Sequence, residues 1–196
     1  MVSTIAYPLT KEDINKLGNT IVFLSERLAP VSKSKLLKLI YLIEENSVKT
    51  YGLSFFNLKF FVWKSGPINR DIFVELSSPS ILENYIGYDS TKNMIVPLLH
   101  FSDDEFSDNE IALLELIVEK FKSYSSKQLD DLIFRKHSLW YQTAKKSGFL
   151  EYFENNSMNS TDIEIDFVQL IENDPMKLSL YLNQKDYLEY NRLLSI

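Results

Sequence analysis

A chain of 196 residues with no cysteine is long enough to bury a sizeable core, and it excludes a disulfide framework, thiolate chemistry and cysteine-based zinc sites. Its 45% hydrophobic and 13% aromatic content argues against disorder, and no apolar run approaches the roughly 18 residues a membrane span requires. The net charge of −6 is uneven: residues 1–65 carry nine Lys/Arg against five Asp/Glu, the rest twelve against twenty-two. That balance argues against a polyanion-binding protein; it either favours a basic partner or serves solubility alone. The start, Met1–Asp13, has neither the basic nor the apolar region of a secretory signal, so the expected location is the cytoplasm.

Thr10 followed by Asp13 caps a helix expected over 11–28, with Ile14, Leu17, Ile21, Leu24 and Leu28 on one face. Ala29-Pro30 ends it, because a residue before proline is pushed out of the α region. Ser32 or Ser34 then caps a second helix over about 33–51. Its apolar positions run almost all round, and only Lys35, Lys38, Glu45 and Lys49 form a narrow polar stripe, so this helix should lie inside a bundle. Gly52 stands where a left-handed cap is expected. The period then changes. Phe60–Trp63 is a short strand stopped by Gly66-Pro67, and Arg70 and Asp71 open another helical pattern.

Tyr85–Tyr88 and Met94–His100 flank the turn residues Asp89–Asn93 and read as a hairpin lying beside the Phe60–Trp63 strand. Ser107 with Glu110 is a capping box opening a helix that uses Ile111, Leu114, Val118 and Phe121. Ser125 with Gln128 repeats the signal for a shorter helix carrying Leu129, Leu132 and Ile133. Residues 155–160, Asn-Asn-Ser-Met-Asn-Ser, are the most linker-like stretch. Beyond them Thr161 with Glu164 suggests a helix using Ile163, Phe167, Leu170 and Ile171, and Asp174-Pro175 a last one. The expected fold class is α+β, mostly α: a helical bundle around the central helix, with a small antiparallel sheet.

The Lys35–Glu44 helix, the Tyr51-Gly52 turn, the Phe60–Phe73 strand-turn-helix and the Leu132–Lys146 stretch together resemble the Panacea domain, the SocA-like antitoxin family of bacterial and phage toxin–antitoxin systems. The resemblance spans roughly residues 14 to 147. It implies a Panacea-like domain over 1–150 and a C-terminal helical extension over 151–196 that packs on it or binds a partner. It further implies an antitoxin that neutralises a cognate toxin protein by direct binding, and that can hand the toxin to a protease. On this reading the protein is no enzyme and needs no cofactor.

The residues themselves carry no catalytic signature. The five glycines, at 18, 52, 66, 87 and 148, are too dispersed for a phosphate-binding loop, and GxSxG and HExxH are absent. His100 and His137 are the two histidines, and their spacing suggests no zinc site. Asp103–Glu105 and Asp130-Asp131 read as helix-start charges or solvated faces.

Trp63, Lys64, Arg70, His137 and Trp140 are the candidate partner-binding residues. Within Trp63–Pro67, Pro67 presets φ, Gly66 frees the backbone and Trp63 fills the core; the same turn presents Lys64 and Arg70 beside an indole edge, a good anchor set. His137 either bonds the last carbonyls of the preceding helix or packs in the core, or else serves as a surface contact or proton-transfer group. The lysine stripe reads as the solvated edge of a buried helix, or as a small phosphate-facing patch able to bind nucleic acid weakly. Two other function classes therefore stay open at this point: a nucleic-acid-binding regulator using Lys33–Lys49, and an enzyme centred on His137, Arg70 and nearby carboxylates.

Overall fold

The computed structural model describes residues 9–194, so most of the Met1–Asp13 stretch lies outside the described residues. The first helix, α1 (Lys11–Leu28), begins as its sequence dictates. The Thr10 hydroxyl accepts from the Asp13 amide at 3.1 Å, and the Asp13 carboxylate accepts from the Thr10 amide at 2.9 Å. Strand β1 (Val31–Ser32) leads straight into α2 (Lys33–Tyr51), capped by the Ser32 hydroxyl on the Lys35 amide at 3.2 Å. Gly52 ends α2 in the left-handed region, with φ 68°, and its amide donates to the Val48 carbonyl.

Leu36, Leu39, Ile40, Tyr41, Ile43 and Val48 are all buried along α2, because helices, strands and the C-terminal segment pack around it. The polar stripe is not the solvated edge expected of it. Lys38 is only 7% exposed, with its ammonium 3.2 Å from Asp130 and 2.7 Å from the Ser34 hydroxyl. The Lys35 ammonium donates to the Lys122 carbonyl at 3.2 Å, Glu45 is half-buried, and Lys49 alone of the four is exposed. The ends of α4 and α5 thus close over the N-terminal half of the stripe and give Lys35 and Lys38 protein partners.

Strands β2 (Phe61–Trp63) and β3 (Gly66–Ile68) pair Val62 with Pro67 and Trp63 with Gly66. Gly66-Pro67 therefore does not stop the strand; Lys64-Ser65 makes the turn and the Gly-Pro pair starts the return. Proline is tolerated there because β3 is an edge strand. Asn69 caps the short α3 (Arg70–Glu75), accepting from the Ile72 amide at 3.0 Å while its own amide group donates to the Lys59 carbonyl.

The hairpin of β4 (Ile86–Asp89) and β5 (Met94–Pro97) forms as expected, but not beside β2. It pairs through β5 with β1, Val31 opposite Ile95, in a separate sheet of order β1-β5-β4. Both edges of β2 are already occupied, one by β3 and the other by a strand from far downstream.

Capping boxes open α4 (Asp108–Phe121) and α5 (Ser126–Ile133) at Ser107 and Ser125. The buried face of α4 is Leu113, Leu114, Ile117 and Phe121, rotated from the expected one, so that Ile111 and Val118 are half-buried. Ser138 caps α6 (Leu139–Lys146), and α7 (Leu150–Glu154) follows Gly148. The helix expected from Thr161 is instead strand β6 (Ser160–Glu164), which completes the sheet β3-β2-β6; a 3-10 turn, Phe167–Leu170, comes next. The Thr161 hydroxyl donates to the Val62 carbonyl at 2.7 Å, a bond across the sheet that a helix here would forgo. The last helix, α8 (Pro175–Leu194), starts with proline at its first position, and the Asp174 carboxylate accepts from the Lys177 amide. Phe153, Ile165, Phe167, Ile171 and Tyr181 from this C-terminal segment all enter the core. Among the described residues helices dominate, with two three-stranded antiparallel sheets, an α+β fold that is mostly α. No helix among the described residues is long and apolar enough to cross a membrane.

Candidate partner-binding site

Alternation along β2 sends Val62 into the core and leaves Phe61 and Trp63 half-buried on the opposite face. Trp63 continues into the turn of the hairpin, where its ring meets Phe73 of α3 at a centroid distance of 5.5 Å. Its carbonyl accepts a hydrogen bond from the Trp140 indole at 3.1 Å. Trp140 is 5% exposed, wedged edge-on against Phe134 at 4.6 Å and stacked on Phe153 at 6.1 Å. It acts on the hairpin from within, as a brace.

Arg70, one residue after the cap of α3, lies with its guanidinium 4.3 Å over the Phe61 ring. It also forms a close ion pair with Asp162 of β6 and reaches the Thr161 carbonyl at 3.4 Å. The Lys64 amide donates to the Asn159 carbonyl at 2.9 Å, and its ammonium bonds the Asn156 side chain. The residues 156–162 thus stitch down both cationic candidates. Beside them an open cleft of about 490 Å³ is lined by Trp63, Arg70, Phe149, Met158, Thr161 and Asp162. The buried Trp63 indole nitrogen has no hydrogen-bond partner among the described residues. A second hollow, of about 250 Å³, opens on the other side of the hairpin between Lys33, Lys38, Pro67 and Phe73, with the Lys33 ammonium 3.6 Å over the Phe73 ring.

Four of the five candidates therefore converge on one hairpin. His137 does not join them: it is exposed in the turn between α5 and α6, with no hydrogen-bond or ion-pair partner among the described residues. It bonds none of the preceding helix's carbonyls; the Ser138 hydroxyl does that, at Ile133. Among the described residues no carboxylate pairs with its imidazole. His100 is likewise exposed, 3.0 Å from Glu26. Among the described residues no group of three or more His, Asp or Glu side chains is placed to hold a metal.

The site's supports include residues that sequence reading passed over. Glu44 is 1% exposed inside α2, accepting from the Ser54 hydroxyl and, at 2.8 Å, from the Phe56 amide. Burial pushes its carboxyl above the usual range, and these hydrogen bonds together with the nearby Lys16 charge offset that in part. The signal was present: a helix apolar all round leaves Glu44 nowhere to point but inward. The Glu75 carboxylate accepts from three successive amides, Ser80, Ile81 and Leu82, at 2.9–3.0 Å, and so fixes the loop after α3. Ser77-Ser78-Pro79-Ser80 marks a turn there in the sequence, but nothing local assigns Glu75 to hold it.

A family model described as antitoxin SocA-like, Panacea domain, matches residues 36–141, just over half of the chain, and those residues include all five candidates. No curated protein and no solved structure matches the chain.

Proposed function

The chain belongs to the SocA-like antitoxin family, whose Panacea domain it carries, and from that premise we propose that it neutralises a cognate toxin by direct protein–protein binding. The observation that carries this reading is the family match itself, because its span takes in the hairpin and its brace. The physical arrangement supports it. An indole edge, two cations and an adjoining cleft are held on a short strand pair whose backbone is tied to α6 and β6. Such a face loses little conformational entropy on binding, and aromatic and Arg anchors are the residues that dominate interface energetics.

Trp63, Lys64 and Arg70 are the proposed contact residues and Trp140 supports them; His137, exposed in the turn between α5 and α6, would be a contact separate from the hairpin. Residues 1–150 would form the shared domain, with 151–196 completing its sheet and adding a face of its own. The protein acts by covering its partner rather than by turning over a substrate, and delivery of the bound toxin to a protease would be a later step that the same binding permits.

The test is co-expression with whichever neighbouring gene product arrests growth when it is expressed alone. The expected outcome is restored growth and co-purification of a stoichiometric pair. Growth arrest that persists despite soluble expression of both proteins refutes the reading.

A further inference from the structure

The two cations of the hairpin face are held by residues that the family match does not reach. Arg70 lies with its guanidinium 4.3 Å over the Phe61 ring. One nitrogen, Nη2, makes both of its hydrogen bonds, to the Asp162 carboxylate and, at 3.4 Å, to the Thr161 carbonyl. Nη1 and Nε have no partner among the described residues. One face and one corner of the guanidinium are thus fixed. Its remaining donors are left for another molecule, on a side chain that is 46% exposed.

Lys64 is held in the same manner. Its amide donates to the Asn159 carbonyl at 2.9 Å, and its ammonium donates to the Asn156 side-chain oxygen. An ammonium has three hydrogens, so this bond leaves two for a partner. The turn that carries Asn156 is itself fixed. The Ser157 amide donates to the Tyr152 carbonyl and to the Asn155 side chain, each at 3.0 Å. Asn156 sits there at φ 59°, in the left-handed region that asparagine enters more readily than most residues.

Both contacts are open to water, the Asp162 side chain being 91% exposed, so each adds little to the stability of the fold. Their larger consequence lies in the unbound state. Arg and Lys carry among the largest side-chain entropies, and an interface that must freeze such a side chain loses affinity for it. A cation already held in place has given up that freedom before the partner arrives. The weakness of each contact limits the gain to a few-fold. We propose that Asp162 and Asn156 are positioning residues for recognition, holding Arg70 and Lys64 where they meet the toxin. The inference rests on the neutralisation reading. Both residues lie outside residues 36–141, so the C-terminal extension tunes the affinity of the family's shared face from outside it.

The test uses the full chain and the neighbouring gene product that arrests growth when it is expressed alone. Asp162→Ala should weaken Kd about three- to fivefold with a melting temperature close to the parent's. Asn156→Gly should do the same; glycine is chosen because alanine would be strained at φ 59°. Asp162→Asn keeps an acceptor for Nη2 and should recover part of the loss. Arg70→Ala should weaken Kd about tenfold or more. A double-mutant cycle separates positioning from contact: in the Arg70→Ala background Asp162→Ala should change nothing further, and likewise Asn156→Gly in Lys64→Ala. A parent chain that neither rescues nor binds overturns the neutralisation reading and the positioning roles with it. A parent chain that does both, with the Asp162 and Asn156 variants equal to it, overturns the positioning roles alone. So does tighter binding by Asp162→Ala, which would show its carboxylate competing with the toxin for Arg70. A loss that persists in the Arg70→Ala background makes Asp162 a contact in its own right and overturns its positioning role as well.

Discussion

At Trp140 one indole nitrogen connects α6 to the hairpin, and the ring fills the space between Phe134 and Phe153. Trp140→Phe keeps an aromatic ring but leaves the Trp63 carbonyl without that donor, which should cost about 1–3 kcal/mol of stability by urea melt. The hairpin's affinity for its partner should fall with it; unchanged stability would mean that water replaces the indole. Glu44 makes a different prediction. Its folded carboxyl holds its proton more tightly than the unfolded chain does, because burial raises its pKa. Stability from this group therefore falls as pH rises from the unfolded value, about 4.3, through the raised folded value, and the full cost is present above both. In Glu44→Gln the amide oxygen can accept from Phe56 and the amide nitrogen can donate to the Ser54 hydroxyl, so the site stays satisfied without a charge. The stability of Glu44→Gln relative to the parent should thus increase with pH across that window in urea melts between pH 4 and 8. A flat or falling difference refutes the assignment.

Gly52 joins two elements. It sits at φ 68°, and a Cβ there would lie 2.6 Å from the Lys177 Cα atom of α8. Gly52→Ala should lose about 1–2 kcal/mol to the left-handed backbone alone, and should also push α8 off the end of α2. The readout is hydrogen exchange: protection should drop along α8 and persist in α1 and α2, and uniform loss would show that the two helices are not separable. Local chemistry made most of this architecture legible. Thr10 with Asp13, Ser107 with Glu110, and Ser125 with Gln128 each satisfy their own helix ends, so neighbours in sequence suffice to reveal them. Thr161 with Glu164 shows the same spacing and misleads, because its partners are Phe61–Trp63, about a hundred residues upstream. The alternation through Thr161, Ile163 and Ile165 is the period-2 signal, and it competes with a cap signature of equal length. The hairpin site was half legible in the same way: Trp63, Lys64 and Arg70 stand together in sequence, whereas Asp162 and Asn156, which pin the two cations, arrive from the far end.

Across the whole molecule, the C-terminal segment is bound into the core that it follows in sequence. Residues 151–196 supply β6, the carboxylate for Arg70 and five core side chains, and the Phe167 ring packs 6.0 Å from both Tyr41 and Phe60. A chain ending at residue 150 would expose those rings and leave the β2 edge unpaired, with the Val62 carbonyl stripped of its Thr161 donor. It should lose its cooperative thermal transition and aggregate, so its failure to neutralise a toxin would say nothing about specificity. A chain ending at Asp174 is the informative one. It keeps β6, the 3-10 turn and four of the five core residues, and gives up chiefly the Tyr181 side chain and the Lys177 and Gln184 bonds. That shorter chain should melt cooperatively at a lowered temperature and, because it keeps Asn156 and Asp162, bind the toxin at full strength. The two truncations together separate what the segment does for folding from what it does for recognition: a chain ending at Asp174 that folds yet binds at least about tenfold more weakly would assign part of recognition to α8.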